Sequence, residues 1–576
     1  MSSYFQKTKQ IYSLLNTSLL LLFLFLEVCL WAQHATTEQL QEWHHEVIDQ
    51  PYVAVLRANM EKSPAYRVFT PNYFTTQVNV DENGNNIVGD AANEPSIAVD
   101  PTNPNRIVIG WRQFDTVDNN FRQAGNGYSL DGGYTWVFQE VLEPGVFRSD
   151  PVLDFDAHGN LYYNSLRNTP SFACDVFKIT DGGQDWGAPF PANGGDKQWM
   201  RMDRTGGTGD GNNYSYWSSS FSFCAPEHFT RSIDGSNTFE DCETISGDPR
   251  WGTLAVDADG ALYVAGTSPS GIVVAKSSTA NDPNMPVSWD SFILVDMDGT
   301  IRANTAVNPQ GLLGQVWIDV DRSNGLGDGN VYVLASVYRA SIGDPGDVMF
   351  IKSTDGGQIF SPPIRINTDE GTGAHQWFGT MSVAPNGRID VVWLDTRDAT
   401  NDIDSVLYYS FSEDQGDSWS DNEPISLPFD PSIGYPQQNK MGDYFDMVSD
   451  NDFAHLAWAN TINGGQDVYY SRISPYGILG VAEVKARDTF QFKVSPNPVV
   501  DKTTLEFNMA SEGKVTIDVY DIQGRKLSTL LDEEVMGKQR LVWDRTNHVG
   551  VKLSAGLYFI VLKTKSKQLI VKVLLL

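Results

Sequence analysis

The sequence predicts an all-β protein built from repeated units, and two recurring patterns carry this prediction. The first is a turn at residues 129–136 with the sequence Ser-Leu-Asp-Gly-Gly-Tyr-Thr-Trp. Its Asp carboxylate can accept N–H groups of its own turn, its glycines can adopt positive φ, and Thr and Trp suit the strand that follows. The second is a strand–turn–strand pattern, seen at 154–162 and again at 257–263. Such internal repetition is typical of a repeat architecture.

The turn recurs along the chain and resembles the Asp box of sialidase-type β-propellers. The aspartates that occupy the same place in it are Asp131, Asp181, Asp234, Asp355 and Asp414. The resemblance implies a β-propeller and a structural role for these carboxylates, because the box occurs in enzymes and in non-enzymes. The interval from Asp234 to Asp355 is about twice the others, which predicts one intervening unit that has lost its box.

The first strands of the repeats predict seven blades within residues 71–474. The predicted strand starts are Glu94, Ser149, Gln198, Arg250, Gln315, Gln376 and Asp443. The last unit, 442–473, supplies three strands, and we expect residues 74–80 to add the fourth and close the ring without an open edge. Known sialidase catalytic domains have six blades, so a six-bladed ring with one irregular insertion is the alternative.

The N-terminal end predicts export. Residues 1–33 have the features of a secretory signal peptide, with basic residues ahead of the apolar run 19–26 and a small residue, Ala32, for cleavage. A membrane anchor is the alternative, but Glu27 interrupts the run before it reaches spanning length. We therefore expect no transmembrane span in the mature chain. Residues 34–70 predict a helical or extended lead-in to the propeller.

The C-terminal end predicts a separate module. Beyond a linker at 475–489, residues 490–576 predict a small β-sandwich, because apolar positions alternate and glycine turns separate the strands. The segments 494–498, 514–525 and 553–562 resemble, in order, those of the type A C-terminal sorting domain of the bacterial type IX secretion system. This resemblance implies the type IX machinery as a partner, and a secreted or outer-membrane surface location. An ordinary accessory β-domain is the alternative.

Charge and cysteines narrow the functional classes. The formal net charge of −31 repels nucleic acid and other polyanions, so an anionic ligand needs a local cluster of arginines. Solubility outside the cell is the simpler explanation of the same charge. Export permits a disulfide, and Cys224 and Cys242 flank one Asp-box turn on neighbouring strands. We expect these two to pair and Cys174 to remain unpaired.

A ligand site is expected on the face of the propeller opposite the Asp boxes. In this connectivity, that face carries the loops from fourth to first strands and from second to third strands. The side chains expected to bind a ligand there are Glu94, Arg112, Asp196, His375, Asp395 and Asp443. Sialidases hold the substrate carboxylate with three arginines and use an Asp acid/base and a Tyr–Glu nucleophile. The catalytic candidates that the resemblance implies are Arg148, Asp150, Arg250, Arg397 and Tyr444. No Glu partner for Tyr444 is evident, and solvation of the rim is the alternative for each residue.

Two functional hypotheses follow. The first is an exported sialidase-like propeller that acts on or binds extracellular glycans, with glycoside hydrolysis as its catalytic form. The second is a non-catalytic propeller that binds a surface protein or mediates adhesion. Neither requires a cofactor. A loop with Asp319, Asp321 and Asp328 approximates an alternating oxygen-ligand site for Ca²⁺, and an ordinary Gly/Asp loop is the alternative.

Overall fold

The computed structural model describes residues 49–138, 140–169, 171–180, 185–477, 492–521, 525–564 and 568–576. The predicted signal peptide, the start of the lead-in, Asp181 and most of the linker lie outside these residues. The chain divides into two compact units, Met1–Pro475 and Tyr476–Leu576. Across the described ranges the one helix is a 3-10 turn at Arg57–Asn59, and no helix is long and apolar enough to cross a membrane. The all-β prediction is confirmed.

The first unit consists of short antiparallel sheets that follow one another along the chain. It opens with β1 (Lys62–Pro64), β2 (Arg67–Phe69), β3 (Tyr73–Gln77) and β4 (Asn85–Ile87). The strands that follow are β5 (Ala91–Val99), β6 (Ile107–Phe114), β7 (Gln123–Ser129), β8 (Val137–Phe138), β9 (Ser149–Phe155), β10 (Leu161–Arg167), β11 (Ala173–Ile179), β12 (Phe190–Pro191), β13 (Trp199–Met202), β14 (Asn213–Tyr216), β15 (Phe229–Ser232), β16 (Leu254–Val256), β17 (Leu262–Ser268), β18 (Gly271–Ser277), β19 (Ser291–Val295), β20 (Ala303–Thr305), β21 (Asn308–Leu312), β22 (Trp317–Val320), β23 (Val331–Arg339), β24 (Asp344–Ser353), β25 (Ile364–Arg365), β26 (Gln376–Val383), β27 (Ile389–Asp395), β28 (Val406–Ser412), β29 (Glu423–Pro424), β30 (Asp446–Ser449), β31 (Ala454–Asn460) and β32 (Asp467–Ile473).

Six sheets keep chain order, namely β5–β8, β9–β12, β13–β15, β16–β19, β22–β25 and β26–β29. A seventh has the order β2-β3-β32-β31-β30, while β1 pairs with β4 and β20 with β21 as separate ribbons. Strand β3 pairs antiparallel with β32, from Tyr73↔Ile473 to Gln77↔Tyr469. A strand that precedes the first sheet thus completes the sheet of the last three strands, as the sequence predicted.

The innermost strands of the seven sheets contact one another in a closed series. Contacts run from β5 through β9, β13, β16, β22 and β26 to β30, and β30 in turn contacts β5. Every residue of β5 and of β26 is buried, as expected of strands covered on both sides. Several outermost strands, among them β8 and β29, are two residues long, which leaves little open edge.

The turns that resemble Asp boxes are held by hydrogen bonds among their own residues. In the first turn, Oγ of Ser129 donates to Asp131 over 2.8 Å and accepts the N–H of Gly133 over 2.8 Å. Asp131 also accepts the N–H of Thr135 over 3.0 Å. Equivalent bonds surround Asp234, Asp355 and Asp414. These carboxylates hold their own turns together.

The second unit is one antiparallel sheet with its own core. Its strands are β33 (Phe492–Ser495), β34 (Thr503–Asp521), β35 (Lys526–Trp543), β36 (Gly556–Lys563) and β37 (Gln568–Leu575). The order is β33-β34-β36-β37, and β35 also pairs with β34. Alternate residues of β34, including Val515, Ile517 and Val519, are fully buried, which accounts for the alternating pattern in the sequence. The sandwich arrangement stays a prediction.

Candidate functional site

Where the first strands begin, the backbone has an unusual conformation. The residues there with left-handed φ of 48°, 47°, 56°, 53° and 54° are Glu94, Asp150, Lys197, Trp251 and Phe378. Residues other than glycine seldom adopt this backbone conformation. The five residues occupy equivalent positions in their repeats. Shifts of strand register adjoin Glu94 and Phe378, and such bulges re-aim side chains. This position can be recognised in the sequence when the repeats are aligned.

Six charged residues meet at this level in what we call the inner cluster: Glu94, Arg112, Asp150, Lys197, Lys440 and Asp443. Nζ of Lys197 lies 2.6 Å from Asp443 and 3.5 Å from Asp150. Nζ of Lys440 lies 3.0 Å from Asp443 and 3.7 Å from Glu94. Nε of Arg112 lies 3.1 Å from Glu94. No side chain of the cluster is more than 7% exposed. Three predicted ligand residues and one catalytic candidate therefore meet, but they form ion pairs with one another and with two lysines instead of facing solvent.

Burial and the surrounding charges shift the pKa values of the three carboxyl groups of the inner cluster in different directions. Burial raises the pKa of Glu94 to about 8, against the attraction of Arg112 and Lys197. Burial acts in the same direction on Asp443, but Lys197 and Lys440 outweigh it and hold its pKa well below the ordinary value. Lys197 likewise overcomes burial at Asp150 and lowers the pKa of that group. At neutral pH Glu94 is therefore mostly protonated, while Asp150 and Asp443 are carboxylates.

The catalytic candidate Tyr444 lies beside the inner cluster. Its hydroxyl donates to the carbonyl of Pro151 over 3.0 Å, and its ring meets Trp199 edge-on at 5.2 Å. Burial raises the pKa of Tyr444 well above the ordinary value, and the nearby Glu94 and Asp150 add to the effect. The structure thus supplies the Glu neighbour that the sequence did not reveal. It also keeps the phenol protonated and engaged with backbone.

A hairpin covers the inner cluster. Strands β20 and β21 form it, and the N–H of Leu312 donates to Asp443 over 2.8 Å. The amide of Asn308 donates to the carbonyl of Gly442 over 2.9 Å, and its oxygen accepts the N–H of Met441 over 3.0 Å. Since the cluster is also buried on its other sides, a sugar-sized ligand reaches it only if this hairpin moves.

The three arginines that resemble a carboxylate clamp lie apart in the hydrogen-bond network. Their acidic partners are Glu143 and Asp175 for Arg148, Asp248 for Arg250, and Asp395 and Asp369 for Arg397. Within the described part of the chain, these ion pairs share no carboxylate. Each of the three guanidinium groups is therefore held by carboxylates of its own, and their action as one clamp stays a prediction.

The remaining predicted ligand residues occupy different places. Asp196 lies 3.9 Å from Lys197 at the edge of the inner cluster and is 22% exposed. Asp395 is buried and accepts from Trp393, Gln376 and Arg397. His375 is half-buried, and burial lowers its pKa. Asp395 and His375 belong to the sixth sheet, away from the contacts of the inner cluster.

An open cleft lies on the predicted ligand face, between the third and fourth sheets. It has a volume of about 740 Å³, and its lining residues are Ser219, Ser220, Ala225, Pro226, His228, Thr244, Ile245, Gly247, Asp248 and Arg250. Nη2 of Arg250 donates to Asp248 over 2.6 Å, while its Nε has no acceptor among the described residues. Burial lowers the pKa of His228, so this ring is neutral at pH 7.

A disulfide braces this cleft. Cys224 and Cys242 are bonded, with their Cα atoms 6.2 Å apart. Cys224 precedes the lining residues Ala225 and Pro226, and Cys242 precedes Thr244, so the bond ties two walls of the cleft together. Among the described cysteines, Cys174 is free and buried.

The carboxylates of the predicted calcium loop accept hydrogen bonds from within the loop and from a neighbouring sheet. Asp319 accepts from Arg322 over 2.9 Å and from the N–H of Val383 over 2.9 Å. Asp321 accepts the N–H of Ser323, and Asp328 accepts the N–H of Asn324. In the described ranges, no group of three or more His, Cys, Asp or Glu is placed to hold a metal ion. The calcium site stays a prediction.

The second unit matches a known family. Residues 493–575 match the model of the secretion system C-terminal sorting domain. The chain therefore ends in a type IX sorting domain, which indicates export and attachment at the cell surface. No curated protein shows significant sequence similarity to the chain.

Solved structures similar to the chain come from several kinds of protein. A protein of unknown function from Dyadobacter fermentans is 13% identical at a TM-score of 0.41, covering 69% of this chain and 97% of its own. An ulvan lyase of a polysaccharide lyase family is 10% identical at a TM-score of 0.40, and the match covers 67% of this chain and 94% of the lyase. The endosialidase of phage phi92 is 12% identical at a TM-score of 0.40, and the match covers 86% of this chain and 79% of the endosialidase. Similarities this distant carry no argument about activity.

Proposed function

We propose that the protein is an exported cell-surface β-propeller of seven blades that binds an extracellular glycan. The sorting domain at residues 493–575 supports export, and seven sheets with a closed series of inner contacts support the blade count. The binding surface is the cleft of about 740 Å³ beside Arg250, and this cleft is the observation that carries the proposal.

The lining of the cleft suits a sugar. Hydroxyl groups of Ser219, Ser220 and Thr244 can exchange hydrogen bonds with sugar hydroxyls, while Pro226 and Ile245 provide apolar walls. The guanidinium of Arg250 lines the cleft and can bind an acidic substituent of the glycan. A ligand with isolated acidic groups fits better than a dense polyanion, because the net charge of −31 repels the latter.

Binding without turnover fits the chemistry better than hydrolysis. A retaining glycosidase needs an accessible acid/base and an activated nucleophile. Here Asp150 and Tyr444 are buried, Asp150 pairs with Lys197, and Tyr444 donates to backbone. A surface protein remains the alternative partner, and its capture by an isolated cleft of this size is less favourable than that of a short glycan.

The proposal is tested with the mature full-length chain on a glycan array, followed by calorimetry on the best glycan. Arg250→Gln removes the guanidinium from the cleft and should weaken binding by about 10- to 100-fold, the range for a lost charged hydrogen bond. The matched control is Arg322→Gln, because Arg322 is a partly exposed arginine of another sheet that also pairs with an Asp. It should leave affinity unchanged.

Parallel assays on sialosides and acidic polysaccharides test for released product. Turnover by the wild-type chain would replace the binding hypothesis with a hydrolase or lyase. Absence of any glycan binding, or equal affinity of Arg250→Gln and wild type, would contradict the assignment of the cleft and favour the protein-binding or adhesion alternative.

A further inference from the structure

The inner cluster holds a buried arginine that uses only part of its hydrogen-bonding capacity. Nε of Arg112 donates to Asn93 over 2.8 Å and lies 3.1 Å from Glu94. Its Nη1 and Nη2 atoms find no acceptor among the residues that the structure describes. The side chain has no exposed surface. Buried donors are almost always paired, so two charged donors of one guanidinium without a protein acceptor indicate a bound one.

The charges around Arg112 indicate the sign of that acceptor. Arg112, Lys197 and Lys440 bring positive charge, whereas Asp150 and Asp443 bring negative charge and Glu94 is mostly protonated at neutral pH. One positive charge is therefore in excess inside the cluster. Asp196, which lies 3.9 Å from Lys197 at the edge of the cluster and is 22% exposed, offsets part of this excess from outside.

The surroundings of the cluster limit the size of the acceptor. The hairpin of β20 and β21 closes one side through Leu312 and Asn308, and all six charged side chains are buried. With the cover closed and the side chains buried, the acceptor for Arg112 has to be small.

We propose that the inner cluster binds one small monovalent anion of the halide class, held by the Nη atoms of Arg112 with Lys440 nearby. The ion neutralises the excess charge and completes the hydrogen bonding of the guanidinium. It joins the first, second, third and seventh sheets through residues that already pair there. This site is separate from the cleft, so the proposal goes beyond glycan binding.

Bromide replaces chloride and scatters anomalously, so the first test is diffraction from crystals of the full-length protein equilibrated in sodium bromide. An anomalous peak in contact with both Nη atoms of Arg112 is expected. Ordered water at that position, with bromide absent or present only on the surface, would overturn the proposal. This measurement needs no variant and therefore does not depend on how a mutant folds.

Thermal unfolding provides the second test. At equal ionic strength, sodium chloride should raise the Tm above that in sodium gluconate by about 1–2 °C, saturably, because the ion binds only the folded state. Arg112→Gln should abolish this difference. Arg388→Gln removes another buried arginine, paired with Asp390, and should retain it. An equal chloride effect in both variants would refute the site. Arg250→Gln should also retain the effect, so failure here and failure of the glycan proposal are distinguishable.

Discussion

Individual aspartates in this chain have two different roles, and the local sequence reveals only one of these roles. Asp414 lies in an Asp box, where hydrogen bonds from Ser418 and Ser412 outweigh its slight burial and lower its pKa. Asp443 lies in the inner cluster, where Lys197 and Lys440 do the same against strong burial. The partners of Asp414 are a few residues away, whereas Lys197 comes from another sheet. The first role is therefore visible as a motif and the second is not.

Replacement of an Asp-box carboxylate should cost stability without affecting ligand binding. Asp414→Ala removes bonds to Ser412 and Ser418, and we expect the free energy of unfolding to fall by about 1 kcal/mol. Because the pKa of Asp414 is lowered in the folded state, this contribution is present above its ordinary value near 4 and is lost as pH falls further. Chemical denaturation at pH 7 and pH 3 measures both effects.

Asp417→Ala is the control for that experiment. Asp417 is 70% exposed and forms a surface ion pair with Lys352, which is expected to contribute less than 1 kcal/mol. Equal destabilisation by the two substitutions would contradict a special role for the box. Loss of glycan binding in Asp414→Ala would contradict its assignment as purely structural.

Among the structural elements, the strand that closes the ring has the most unusual chemistry. The N–H of Val78 donates to Val468 over 2.9 Å, and the N–H of Ala92 donates to Gln466 over 2.8 Å. Two buried carboxyls, Asp90 and Asp467, meet at this junction. Burial raises the pKa of Asp467 strongly, and Asp90 adds to the effect. Folding therefore favours the protonated forms of these two carboxyl groups.

Asp90→Asn should stabilise the protein at high pH. Burial raises the pKa of Asp90 to about 6, with Asp115 adding to this and Arg57 opposing it. A raised folded pKa gives stability that is complete below the ordinary value and lost as pH rises through about 6. The amide keeps the bonds from Arg57 and Gln113 and does not ionise. We expect the gain at pH 8 to exceed the gain at pH 4.5 by about 2 kcal/mol.

Chemical denaturation across pH 4–8 distinguishes the protonated from the ionised form of Asp90. Wild type should lose stability through this range, whereas the slope should be smaller in Asp90→Asn. A variant that is less stable at every pH would show that the Asp90–Arg57 ion pair outweighs the repulsion between the carboxyls.

The whole molecule combines a unit of repeated sheets, for which we propose glycan binding, with a C-terminal sorting domain. The core clusters of the first unit, Met1–Pro475, share no residue with the core cluster of the second, Tyr476–Leu576. Deletion of residues 492–576 removes the sorting domain and should leave the protein in the periplasm. Its thermal transition should still match that of the first unit in the full chain, because no core residue of that unit is lost.

Fractionation and protease treatment of intact cells measure this location. The point of comparison is the full chain expressed from the same promoter. Surface exposure of the truncated protein would contradict a requirement for the sorting domain, and loss of its thermal transition would contradict the independence of the first unit.

Local sequence determined the strand repeats, the Asp-box turns and the sorting domain, because each depends on residues close together in the chain. A turn needs its Asp, Ser and glycines within one short segment, and a buried strand shows a continuous apolar run. The pairing of β3 with β32 was also predictable, since an array that ends in three strands needs a fourth. The N-terminal apolar run and the sorting-domain segments predicted export.

Only the tertiary structure decided what the charged residues do. The sequence placed Arg148, Arg250 and Arg397 on one face, but their pairing with separate carboxylates depends on loops of different sheets. It missed Lys440, which lies in a loop without a motif, and it missed the left-handed backbone of Glu94 that brings this carboxyl to the inner cluster. The physical reason is that burial and charge pairing act across sheets, so they arise from residues that are distant in sequence and become neighbours only when the ring closes.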